Sequence, residues 1–77
     1  MQISTKTISD KAIEHDTASL TWFNYWTENG ERENDIYYKM WQEHRAKSDA
    51  MVELLNMAEP FYTHYVFDGK IVKELIP

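Results

Sequence analysis

Seventy-seven residues, 13 of them acidic and 8 basic, give a formal net charge of -5, with no cysteine, 43% apolar residues and 14% aromatic residues. The length allows one small domain, residues 1–77, and the missing cysteine excludes a disulfide scaffold or a Cys-based zinc finger. The aromatic content argues against disorder, and the acidity argues against direct nucleic-acid binding, because phosphates demand a basic surface.

In chain order, Gln2 to Ile8 is rich in Thr and Ile and suits an extended strand. Ser9 or Asp10 offers an N-cap for a helix over 10–28. Within it Ile13, Leu20 and Phe23 align at helical pitch, and Trp22, Tyr25 and Trp26 fall on the other side. Residues 19–27 also have strand propensity, and helix is the preferred reading. Asn29-Gly30 marks its end.

A second helix is expected over 34–59, capped by Asn34, with Asp35 in the first turn and Pro60 as the stop. Ile36, Tyr37, Met40, Trp41, Met51, Val52, Leu54, Leu55 and Ala58 form its apolar stripe, into which His44 and Ser48 intrude. Asp35–Lys39 and Glu43–Lys47 are spaced as i,i+4 ion pairs. A continuous helix of that length would span about 39 Å. A compact body of this size would measure only about 30 Å across. The helix is therefore expected either to break near Ser48-Asp49 or to overhang and pack on a partner. Phe61 to Phe67 and Lys70 to Ile76 are strand-like runs around Asp68-Gly69, a type I′ hairpin signal. The expected fold is α+β: β-α-α-β-β, with two helices packed on a small antiparallel sheet. Without the first strand it reduces to α-α-β-β.

No grouping of residues points to catalysis. The serines have no glycine-rich elbow, and Gly30 and Gly69 make no phosphate loop. Glu14-His15-Asp16 lies in sequence, but neighbouring residues on a helix diverge by about 100° and cannot chelate together. No enzyme activity, cofactor or metal is expected. No apolar run reaches the roughly 18 residues that span a bilayer. Met1 to Asp10 lacks a secretory pattern, so a cytoplasmic location is expected.

Two features point to a protein partner. Residues 1–30 carry -2, residues 31–60 carry -3 and residues 61–77 are neutral. The densest acidic cluster is Glu28, Glu31, Glu33 and Asp35, a docking patch for a basic surface or an imitation of nucleic-acid phosphates. Beside it, Trp22, Tyr25 and Trp26 are residue types favoured as interface anchors. The expected function is a non-enzymatic binding module. It would be a stoichiometric inhibitor or modulator, of a phage or mobile-element type, acting on a larger protein, with a nucleic-acid-binding protein as one candidate class of target. The alternative is a structural subunit, such as a homodimer, that self-associates through the long helix. No membrane contact is expected.

Overall fold

The computed structural model describes residues 4–33 and 35–77. Ser4 is extended (φ -69°, ψ 153°), and its hydroxyl accepts the Thr7 backbone N–H, which starts helix α1, Thr5–Glu28. The expected strand over Gln2 to Ile8 is thus replaced by helix from Thr5 onward; residues 1–3 lie outside the described residues. The reason is tertiary. In a helix Ile8 and Ala12 fall on one face one turn apart, and both are buried against the rest of the fold. Residues 19–27 are helical throughout.

The end of α1 follows backbone chemistry. The Glu31 N–H donates to the Trp26 carbonyl at 3.1 Å, and Gly30 between them has φ +93°. This six-to-one bond around a left-handed glycine is a Schellman closure. Helix α2 is Ile36–Ala58, and its N-cap is Asp35, whose carboxylate accepts the Tyr37 N–H at 3.0 Å. Asn34, the expected cap, lies outside the described residues. Among the described residues the expected Asp35–Lys39 ion pair does not form, the Asp35 carboxylate serving as the cap instead, whereas the other expected pair, Glu43–Lys47, closes at 3.0 Å.

No break occurs at Ser48: α2 is continuous through it. The Ser48 hydroxyl donates to the Ala12 carbonyl of α1 at 3.0 Å. Ser48 interrupts the apolar stripe because a small polar side chain fits where the two helices meet. The overhang disappears for a different reason. The molecule measures 42 × 31 × 17 Å, a slab as long as its helices rather than a sphere, and α1 lies antiparallel along α2.

The hairpin β1 (Tyr62–Phe67) and β2 (Lys70–Leu75) forms as expected. Asp68 at φ +51° and Gly69 at φ +72° make the type I′ turn, pairing Phe67 with Lys70 and Tyr62 with Leu75. The sheet has two strands among the described residues, so the observed order is α-α-β-β. Its inner face carries His64, 3% exposed, onto the C-terminal half of α2.

The buried interior is small and mixed. Ala12, Leu55 and Ile8 are its apolar members; Ser19, Ser48, Asp16 and His64 are buried beside them. On α1 the inward line is Ile8, Ala12, Asp16 and Ser19, whereas Leu20, expected on the apolar side, is exposed.

Candidate functional site

Close helix contact at Ala12, Ser19 and Ser48 leaves little room for large side chains in the middle of the slab. The bulky aromatics of the two helices collect instead at the turn end, where α1 finishes and α2 begins. Phe23, Trp26, Tyr38 and Trp41 form one group: Trp26 stacks on Trp41 at 5.3 Å, and Phe23 meets Trp41 edge-on at 4.9 Å. Trp22, Tyr25 and Tyr37 form a second, with centroids 5.7–5.8 Å apart. Such offset and tilted contacts are the favoured ring geometries. The Trp26 indole N–H donates to the Arg32 carbonyl at 2.9 Å and ties the connecting loop to the first group.

The anticipated partner-binding residues are brought to this end but play unequal parts. Trp26 is half-buried and holds its loop through the indole. Trp22 is half-buried against Tyr37. Tyr25 is 46% exposed. Asp35 is committed to the cap of α2. Glu28, Glu31 and Glu33 are exposed, and among the described residues their carboxylates have no ion-pair partner. Glu28 ends α1, and no basic residue occupies that last turn. A carboxylate there adds to the negative end of the helix dipole, a placement that opposes stability. Tyr37, Tyr38 and Trp41 complete the cluster from α2. Tyr37 and Trp41 were legible only as members of an apolar stripe, and Tyr38 carried no such signal.

The other polar constellations lie along the helices and at the hairpin, away from this end. Glu14, His15 and Asp16 diverge: Glu14 lies 3.5 Å from Lys11, His15 meets His44, and Asp16 faces Arg45 at 3.5 Å. His15 and His44 oppose their Nδ1 atoms at 3.1 Å, so one ring donates and the other accepts across the two helices. Among the described residues no group of three or more His, Asp or Glu side chains converges as a metal site. At the hairpin, both ring nitrogens of His64 face oxygen acceptors, Oδ1 of Asn56 at 2.8 Å and Oε1 of Glu59 at 3.1 Å. The Lys73 ammonium lies 3.1 Å from the other Glu59 oxygen. The hydrogen bond from Lys73, and then that from His64, holds the Glu59 carboxyl below its ordinary range. The Tyr65 phenol is pushed up by its hydrogen bond to Glu74.

Two concavities among the described residues bear on the site. One, of about 110 Å³, lies under the hairpin beside Asp16, Arg45 and Ser48. The other, of about 330 Å³, is an open apolar groove lined by Ser19, Leu20, Phe23, Trp41 and Arg45. Among the described residues no helix is long and apolar enough to cross a membrane. Compared with known protein families, curated proteins and solved structures, the chain matches none.

Proposed function

We propose that this chain is a small acidic binding module that inhibits or modulates a larger protein stoichiometrically and transforms no substrate. The target presents a basic surface of the kind that binds nucleic acid, and a phage or other mobile element is the natural setting. The observation that carries this reading is the turn end of the helical hairpin. There the half-exposed Tyr25 and the Trp22 ring share the end of the hairpin where α1 finishes with Glu28, Glu31 and Glu33, whose exposed carboxylates have no ion-pair partner among the described residues. Aromatic anchors beside free charge are what a desolvated, electrostatically steered interface uses. Glu28 strengthens the case, because its position at the end of α1 opposes helix stability and asks for another purpose.

The test has two steps. Affinity capture with mass spectrometry identifies the target, and the purified pair is then titrated at rising salt. Glu28→Gln, Glu31→Gln and Glu33→Gln combined should weaken binding by about tenfold or more and flatten its salt dependence. The triple variant should also lose the ability to displace nucleic acid from the target. Asp35 is left unchanged because it caps α2. Unaltered affinity and displacement would reject the reading.

A further inference from the structure

A two-stranded sheet has two edges, and here they are treated differently. The Ile76 N–H donates to the Phe61 carbonyl at 2.8 Å, which sets the alternation along the hairpin. The backbone groups of Tyr62, His64 and Val66 on β1, and of Ile71, Lys73 and Leu75 on β2, therefore point away from the partner strand. On β1 two of the three outward donors are satisfied, Tyr62 N–H by the Glu59 carbonyl at 3.1 Å and His64 N–H by Asn56 Oδ1 at 2.7 Å, and only Val66 N–H lacks a protein acceptor among the described residues. On β2, among the described residues, the N–H groups of Ile71, Lys73 and Leu75 have no protein acceptor. A lysine projecting beside such an edge usually guards it; of the two on β2, Lys70 is exposed and Lys73 is engaged elsewhere. Lys73 is drawn back across its own sheet to Glu59, with its ammonium 4.6 Å from the Tyr62 ring centre.

We propose that this edge is an interface between two copies of the chain, paired β2 to β2 in antiparallel fashion to give a four-stranded sheet. The register follows from the residues. Outward groups sit at odd positions, so odd must face odd. Centring the pair on Lys73 sets two lysines directly opposite, which is unfavourable. Centring it on Val72 sets Val72 against Val72 of the partner subunit, and Lys70 against Glu74 of the partner subunit, twice by symmetry. Glu74 holds Tyr65 through Oε1, at 2.9 Å, so its second oxygen is available to that lysine. The strand is thus complementary in charge to itself in one register. The inference rests on the hairpin alone and stands apart from the reading of the turn end. If both hold, the dimer carries two binding ends.

Sedimentation across a concentration series tests the proposal, with circular dichroism confirming that each variant folds. The native chain should be a concentration-dependent dimer. Lys70→Glu and Glu74→Lys, singly, should each weaken it by about tenfold, because like charges then face each other twice. Mixing the two single variants should restore the dimer, since each new charge then meets its opposite. Lys70 and Glu74 lie four residues apart on one strand, so a merely structural effect within the hairpin would not be rescued by mixing. A native chain that stays monomeric at millimolar concentration overturns the proposal. So does a dimer that neither variant weakens, or one that mixing fails to restore.

Discussion

Glu59 shows how much one side chain carries in a fold with so little interior. It ends α2, accepts from the buried His64 and pairs with Lys73, so it joins helix to hairpin. Its carboxyl is held below the ordinary value of 4.5, first by the Lys73 hydrogen bond and then by His64. A depressed carboxyl contributes stability that is present above its unfolded value and is lost as pH falls through its folded one. Thermal unfolding should therefore show a loss of midpoint below about pH 4.5, and Glu59→Gln should remove that component while lowering the midpoint at neutral pH. A Glu59→Gln profile as steep as the native one would contradict this. Ser48 gives a second test. Ser48→Leu should destabilise by about 1–3 kcal/mol through overpacking against Ala12, and Ser48→Ala by only about 1 kcal/mol. Denaturant titration separates the two.

At the scale of elements, local signals and tertiary demands decided different things. The hairpin was legible because Asp68-Gly69 alone supplies two left-handed residues between two strand-like runs. Nothing lies within 4 Å of where a Gly69 Cβ would stand, so Gly69→Ala meets no clash, only the cost of φ +72°. It should destabilise the protein by about 1 kcal/mol, read as a shift in the thermal midpoint. The first segment was misleading. Thr and Ile favour strands, yet the Ser4 cap and the buried faces of Ile8 and Ala12 make helix the better use of them. The expectation that α2 breaks near Ser48-Asp49 or overhangs rested on its length against a round body; the body is 42 Å long, the helix is continuous, and the polar Ser48 in its stripe bonds to α1.

The whole molecule is a slab 17 Å thin, and this explains where its aromatics went. Two helices meeting through Ala12, Ser19 and Ser48 bury few large side chains, so the rings gather where the helices end. Trp41 touches Phe23, Trp26 and Tyr38 from the middle of that cluster. Trp41→Ala should cost about 2–3 kcal/mol, below the fully buried range because the ring is half-exposed, and a smaller loss would mean the cluster adds little. Tyr25→Ala, at the exposed rim, should leave the melting midpoint nearly unchanged and weaken target binding. Calorimetry and titration together check that division.

The amino-acid order determined the hairpin, both helices beyond the first turns, and the clustering of charge and rings around residues 22–35. Those depend on neighbours in the chain: turn chemistry, caps and periodicity. It did not reveal that Asp35 would be taken up as a cap, that Tyr37, Tyr38 and Trp41 would join the α1 aromatics, or that His64, Glu59 and Lys73 would meet. These depend on which helix faces pack together. That choice is made by small side chains in the middle of both helices, whose importance is visible only once the two lie side by side.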